Sequence, residues 1–231
     1  MNLKKLNFNM PYKAIVVDTL NGIQDAQYSA ESSKPNFDKW RNYGVELYNF
    51  IKSLQKLGFT EIAVLGDFGS GKSFGISTLK EGECMWYNSD AKNPTWRGGK
   101  QIFGTKTKPT AHQMIPSSYQ QILNDIQSKG RAAFSENPVA FVIGHTEEYK
   151  APNGEVRYRL KILGNLARNL SVEGLFENTL YTHVVKDKTE TKYYFRTKNS
   201  GSDTCRTMEG LFEDELIPND FSFILKKLDE Y

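Results

Sequence analysis

Gly66-Asp-Phe-Gly-Ser-Gly-Lys-Ser73 is the stretch that decides the fold of this chain, because it matches the P-loop pattern G-x-x-x-x-G-K-[ST], also called Walker A. Its three glycines let the backbone fold tightly, so that successive N–H groups point at a phosphate. Lys72 then supplies a charge for the β- and γ-phosphates, and the Ser73 hydroxyl can bind Mg²⁺. The residues predicted to surround a nucleoside triphosphate are Gly66, Asp67, Phe68, Gly69, Ser70, Gly71, Lys72, Ser73 and Phe74.

The residues on either side of the motif support this interpretation. Residues 61–65 are a short apolar run that suits a buried parallel strand, and residues 73–79 can continue as a helix. Strand, loop and helix follow in the order that the mechanism needs, because a helix N-terminus adds its dipole to a phosphate site. A flexible Gly/Ser loop with a chance lysine is the alternative.

Composition limits the class of protein. The 231 residues, 39% apolar and 25% charged, are enough for one sizeable α/β domain. No run of 18 apolar residues occurs, and the first residues lack the apolar segment of a signal peptide, so a cytoplasmic location is expected. The net charge of +3 is too small to diagnose a nucleic-acid binder.

The cysteines and histidines of the sequence do not predict a metal site. Cys84 and Cys205 have no metal-ligand spacing, and we expect buried or incidental thiols in a reducing compartment. The chain has only three histidines, so no histidine-based metal site is indicated.

Apolar periodicity predicts alternating strands and helices. Strands are predicted at residues 12–18, 83–90, 138–144, 179–186 and 191–197, with a hairpin turn at 152–155. Helices are predicted at residues 37–56, 117–129, 160–170 and 219–228. Residues 21–35 and 91–116 are predicted to be loops.

This order predicts an α/β fold, with a mainly parallel sheet flanked by helices and a C-terminal antiparallel β extension. Residues 1–231 are expected to form a single domain. Its parts are a Walker B-like βα module at 10–58, a P-loop module at 60–130, and a sensor strand with the β extension at 138–231.

Three polar residues lie at or directly after the ends of predicted strands and are candidates for the chemistry. Asp18 ends the apolar run 14–17 and fits the Walker B acid that holds Mg²⁺; an N-cap or loop aspartate is the alternative. Asp90 has a similar position and could polarise an attacking water, although a turn aspartate is an equal alternative. His145 directly follows the strand at 140–144 and could sense the γ-phosphate; a structural histidine is the alternative.

The segments 15–20, 66–73, 141–147 and 197–201 resemble the RecA-like ATPases of bacteriophages, most of all those that act in single-strand annealing or as recombination mediators. The tail segments 208–212 and 217–220 resemble the end of the same proteins. The resemblance covers most of the chain and implies a RecA-like core, ATP with Mg²⁺ and single-stranded DNA as partner. It also implies a possible single-strand-binding protein partner and assembly into a homo-oligomer. In related recombinases a Lys-Asn segment matching Lys198 supplies a basic residue to the neighbouring subunit's ATP site; a surface lysine is the alternative.

The order of the modules departs from that family. There the P-loop strand precedes the Walker B strand, whereas here Asp18 comes well before Lys72. If two βα modules have exchanged places, the strand at 140–143 must lie between the strands at 14–17 and 62–65, with Asp18 beside Ser73. Otherwise the metal acid is Asp90 or Glu147.

A basic segment, defined as residues 91–116, is the candidate DNA-binding region. It contains no acid, and its cations alternate with Trp96 and Phe103. Cations neutralise phosphates while aromatic rings stack on unpaired bases. The cations are Lys92, Arg97, Lys100, Lys106 and Lys108. A solvated loop or a protein-contact loop is the alternative.

The P-loop predicts nucleotide binding, and the resemblance implies a Mg²⁺-ATP-dependent RecA-like ATPase that acts with single-stranded DNA in phage recombination or replication. A P-loop small-molecule kinase and a non-hydrolysing nucleotide-binding scaffold remain open.

Overall fold

The structure, a computed structural model, describes residues 10–31, 38–163 and 172–231. Its strands are β1 (Tyr12–Asp18), β2 (Thr60–Gly66), β3 (Cys84–Asn88), β4 (Gly104–Thr105), β5 (Lys108–Pro109), β6 (Gln113–Met114), β7 (Phe134–Lys150), β8 (Val156–Leu160), β9 (Asn178–Lys186), β10 (Thr191–Arg196) and β11 (Leu216–Pro218). Its α-helices are α1 (Leu20–Glu31), α2 (Asp38–Lys56), α3 (Gly99–Phe103), α4 (Tyr119–Lys129) and α5 (Phe221–Glu230). Short 3-10 helices cover Lys72–Thr78, Arg131–Ala133 and Val172–Leu175.

One mixed sheet organises the molecule. Its strand order is β11-β10-β9-β2-β7-β1-β3-β6, and β8 pairs with the outer part of β7. The pairs from β9 through β6 are parallel, whereas β8, β10 and β11 are antiparallel to their neighbours. The predicted α/β class, with a mainly parallel sheet flanked by helices and antiparallel strands near the end, is confirmed.

The central strands are continuous apolar runs because both faces of the sheet are covered. Along β1, Ile15 and Val17 face α2 and α4, while Ala14 and Val16 face α5 and the 3-10 helix after the P-loop. On the second face the rings of Phe141 and Phe221 stack with centroids 4.0 Å apart. Buried aromatic contact of this kind fixes α5 against the sheet.

The segment 21–35 was expected to be a loop, and this is wrong for its first part. Helix α1 covers Leu20–Glu31, and residues 32–35 lie outside the described ranges. Leu20 and Ile23, one turn apart, are fully buried, and Gln24 accepts a hydrogen bond from the Leu163 amide at 3.1 Å. Only one end of the helix is buried, so its sequence carries too short an apolar pattern to reveal it.

The helix expected at 73–79 is a 3-10 helix over Lys72–Thr78 rather than an α-helix. Gly75 lies against Phe221, and a Cβ there would approach the Phe221 ring to 2.6 Å. Glycine is a poor helix former, and Leu79 already has an extended backbone. A short 3-10 helix supplies less dipole to the phosphate site than the sequence pattern predicted.

Two further segments differ from expectation. The basic segment contains α3, β4, β5 and β6 instead of a featureless loop. Of the helix expected at 160–170, Leu160 belongs to β8 and residues 161–163 are not helical, while 164–170 lie outside the described part. The predicted hairpin turn at 152–155 is present, the predicted strands at 179–186 and 191–197 pair as an antiparallel hairpin, and both cysteines are free and buried.

Candidate functional site

The P-loop follows β2 at the edge where the parallel strands end. Gly69 and Gly71 have positive φ values of 71° and 86°, which glycine adopts without strain. Gly66 must be glycine for a different reason, since a Cβ at this position would lie 1.8 Å from the Thr182 hydroxyl. The loop is therefore a tight backbone cradle that side chains would fill, as phosphate binding requires.

Lys72 lies inside this cradle with only 6% of its surface exposed. Its ammonium group donates a hydrogen bond to the Asp67 carbonyl at 2.6 Å. Burial lowers the pKa of Lys72 to about 8, against the opposing effects of Asp18 and Asp67. The amine is thus a poorly solvated cation held by the loop itself, and an incoming anion would stabilise its charge.

Asp18 meets Ser73 across the sheet. The Ser73 hydroxyl donates a hydrogen bond to Asp18 Oδ1 at 2.9 Å. Strand β7 lies between β1 and β2, as the exchanged-module interpretation requires. Burial raises the pKa of Asp18 to about 6; the Ser73 hydrogen bond lowers it, and nearby Asp90 raises it. A buried carboxylate beside the P-loop serine is a suitable partner for a hydrated divalent cation.

Asp90 lies beside Asp18 but is already engaged. Thr19 donates its hydroxyl hydrogen to Asp90 Oδ1 at 3.1 Å, and the Lys92 ammonium pairs with the other carboxylate oxygen. Thr19 and Lys92 both line the P-loop cavity, the open cavity beside Lys72 and Ser73. Asp90 is therefore connected to this cavity through its two partners.

His145 joins the site from β7, in register with Gly66. Its ring stacks on Phe68 with centroids 4.0 Å apart, and Nδ1 is buried without a hydrogen-bond partner among the described residues. Burial and the neighbouring Lys72 lower the pKa of His145 to about 4. The imidazole is neutral at pH 7 and has a free ring nitrogen beside the loop.

Lys72, Ser73 and His145 line the P-loop cavity, an open cavity of about 310 Å³, and Asp18 contacts this lining through its hydrogen bond with Ser73. This volume is at the lower end of the range for small-molecule sites. Its lining residues are Thr19, Phe68, Gly69, Gly71, Lys72, Ser73, Phe74, Lys92, Thr95, His145 and Tyr193.

Two other candidates lie elsewhere. Glu147 forms an ion pair with Arg159 at 2.9 Å in the β7–β8 hairpin, so Asp18 rather than Glu147 is the acid beside Ser73. Lys198 is exposed and donates to the Glu213 carbonyl at 2.8 Å. It follows β10, which runs antiparallel to β9 and so leads away from the P-loop edge.

The basic segment keeps its five cations exposed, but its aromatic residues do not have the expected environment. Phe103 is 1% exposed, and Trp96 is partly buried between Phe103 and Trp86, with ring centroids 6.2 and 5.5 Å away. The expectation that Phe103 stacks on unpaired bases is wrong, because the ring belongs to the core. Trp96 and Phe103 instead anchor the segment to the sheet.

Several residues of the site carry no sequence signal. The Asn219 side chain donates to the Gly71 carbonyl at 2.9 Å, and Thr182 donates to the Ser70 hydroxyl at 2.7 Å. They lie 148 and 112 positions from their partners, so only the folded chain brings them together.

The donor set fits Mg²⁺ bound with a nucleotide better than a metal held by the protein alone. Within the described ranges no group of three or more His, Cys, Asp and Glu side chains could hold a metal ion. Mg²⁺ usually keeps several waters and takes one or two carboxylates plus substrate phosphates, which Asp18 and Ser73 can accommodate.

Comparisons with protein-family models, with curated proteins and with solved structures find no match. Within the described part of the chain, no helix has the length and apolar character to cross a membrane. The fold and the site together define an α/β protein with a Walker A loop and a strand-end aspartate in contact.

Proposed function

We propose that this chain is a Mg²⁺-dependent nucleoside triphosphatase of the RecA-like kind, with ATP as substrate. The observation that carries the proposal is the 2.9 Å hydrogen bond from the Ser73 hydroxyl to Asp18. It pairs the P-loop serine with an acid from a strand two positions away in the sheet, with the His145 strand between them. A chance Gly/Ser loop would have no reason to meet a buried carboxylate here.

In this proposal each residue of the P-loop site has its own role. The amides of the loop hold the phosphates, and Lys72 neutralises charge on the transferring group. Ser73 and Asp18 would hold Mg²⁺, which supplies charge stabilisation to the phosphates when bound. Because Asp18 is buried with a raised pKa, a cation beside it removes the unfavourable burial of its charge.

In this proposal Asp90 activates the attacking water. Thr19 and Lys92 hold its carboxylate beside the cavity, and a carboxylate there can accept a proton through one water. His145, neutral and with Nδ1 free, is the candidate sensor of the γ-phosphate. Its ring also contacts Phe68, so a change at the phosphate can reach the loop tip.

Single-stranded DNA is the proposed partner, in phage recombination or replication. Five exposed cations on the basic segment supply the charge for phosphate binding. Lys92 belongs to this segment, lines the cavity and pairs with Asp90. DNA held on the segment therefore has a physical connection to the phosphate site. Lys198, exposed and away from its own cavity, can act on a neighbouring subunit only in a homo-oligomer.

Phosphate release from Mg²⁺-ATP, measured with and without single-stranded DNA, tests the proposal. We expect that single-stranded DNA stimulates phosphate release by the wild type. The Asp18→Asn variant should lose phosphate release, and the surface control Asp25→Asn should release phosphate at the wild-type rate. Transfer of the phosphoryl group to a small acceptor instead of water would favour a kinase. Tight ATP binding with neither reaction would favour a non-hydrolysing scaffold.

A further inference from the structure

The P-loop cavity has two aromatic ends, one on each side of β2. Phe68 stacks on His145 of β7 at one end. At the other, Phe74 stacks on Tyr193 of β10, with centroids 6.2 Å apart and an interplanar angle of 29°. Because the sheet order is β10-β9-β2-β7, the two pairs lie on opposite sides of the P-loop strand.

The positive charges distinguish these ends. The Lys72 ammonium lies 6.0 Å from the centre of the Phe68 ring, and its charge contributes to the lowered pKa of His145. In a P-loop the lysine reaches the β- and γ-phosphates, while the loop backbone cradles the α- and β-phosphates. In a nucleotide bound as proposed, the terminal phosphate would therefore lie at the Phe68–His145 end, and the rest of the nucleotide would extend the other way.

The second pair is accessible to a ligand. Phe74 directly follows Ser73 and remains 50% exposed although it is a large apolar side chain. Tyr193 packs against the loop so closely that a Cβ on Gly71 would approach its ring to 2.6 Å. Both rings line the cavity together with Lys72 and Ser73. Two aromatic side chains thus line the cavity on the β10 side of the P-loop strand.

We infer that Phe74 and Tyr193 form the stacking platform for the nucleobase, with the triphosphate running from this pair toward His145. The inference rests on the proposed function and adds the orientation of the nucleotide and the residues that recognise its base. Base–aromatic stacking tolerates different bases because every base has a π-face. The platform therefore supplies affinity for a nucleoside over a bare phosphate chain.

Calorimetric titration with ATP and with inorganic tripolyphosphate, both in excess Mg²⁺, separates the base from the phosphates. Tyr193→Leu and Phe74→Leu should each weaken ATP binding by roughly 5- to 150-fold, the range for loss of one stacked aromatic. Tripolyphosphate binding should not change. Tyr193→Phe should keep the wild-type ATP affinity, since the ring remains, and Tyr48→Leu, at an exposed position of α2, is the matched control.

The outcomes are distinguishable. Equal losses for ATP and tripolyphosphate in both leucine variants would mean that the rings only support the loop, and would overturn the platform. Unchanged ATP binding, or a Tyr193→Phe variant as weak as Tyr193→Leu, would overturn it too. Failure of the wild-type chain to bind either ligand would instead overturn the proposed function and the platform with it.

Discussion

The P-loop cavity and the basic segment both carry positive charge, but they hold it in opposite ways. Lys72 is buried, with a pKa lowered to about 8, and its position is fixed by a hydrogen bond to the Asp67 carbonyl at 2.6 Å. Lys106 and Lys108 are exposed on the small β4–β5 hairpin. One region presents a single desolvated cation, the other a set of solvated ones.

The difference predicts two kinds of anion binding. Electrostatic interactions strengthen where water is excluded, so one fixed charge in the P-loop cavity can contribute strongly to phosphate chemistry. Exposed charges are screened by salt and act additively, as in binding to a nucleic-acid backbone. Removing one charge should therefore have a large effect in the cavity and a small, salt-dependent effect on the basic segment.

Lys72→Ala should give the largest effect. Loss of one preorganised charge at a transferring phosphate typically lowers the rate by about 10²–10³. Phosphate release under saturating Mg²⁺-ATP measures this, with the exposed Lys80→Ala as the control. Wild-type turnover in a folded Lys72→Ala protein would mean that the buried cation is not the catalytic one.

Glu61→Gln tests a buried charge at the other end of the P-loop strand. Burial, with Glu177 nearby, raises the pKa of Glu61 to about 7, against a hydrogen bond from Gln55. Because folding raises the pKa of Glu61, its protonation contributes to the free energy of unfolding. This contribution is fully present below the unfolded pKa of 4.5 and is lost as pH rises through about 7. This titration should contribute a loss on the order of 3 kcal/mol.

Urea unfolding at several pH values between 4 and 8 measures the change. The wild type should lose more stability over this range than Glu61→Gln, whereas Glu81→Gln, an exposed control, should follow the wild type. If Glu61→Gln and the wild type have the same pH dependence, Glu61 does not titrate in this range.

On the basic segment, Lys106→Gln combined with Lys108→Gln should weaken single-stranded DNA binding modestly at low salt. Each lost phosphate contact lowers the slope of log affinity against log salt by about 0.7 for single strands, so the double variant should lose roughly 1.4. Fluorescence anisotropy at several salt concentrations measures the slope. Lys226→Gln with Lys227→Gln on α5 is the matched control. Equal slopes for the two double variants would mean that Lys106 and Lys108 do not contact the DNA.

Lys198→Ala should leave ATP binding intact and lower turnover only if the lysine acts on a neighbouring subunit. Mixing it with Lys72→Ala protein should then recover part of the activity, since some interfaces would contain one complete site. Phosphate release from the mixture measures this recovery. No recovery in an oligomer that exchanges subunits, or full activity in a strict monomer, would rule out the trans role.

The sequence predicted the central strands because continuous apolar runs such as residues 14–17 have few alternatives in an α/β chain. It also predicted that Asp18 and Ser73 would meet, since parallel strands end at one edge of the sheet. It did not predict Tyr193 or Asn219 beside Gly71, because their strand and turn come from the far end of the chain. Phe103 was misassigned because composition alone does not tell a stacking ring from a core ring.

Asp18 is the proposed Mg²⁺ acid beside Ser73, and the Mg²⁺ dependence of ATP binding tests this role. Calorimetric titration of the wild type and Asp18→Asn, each with Mg²⁺ and with EDTA, gives four affinities. Asparagine can still accept the Ser73 hydrogen bond but does not offer a carboxylate to the metal. We predict that Mg²⁺ strengthens ATP binding in the wild type and that Asp18→Asn loses most of this gain. An equal gain from Mg²⁺ in both proteins would contradict the assignment of Asp18.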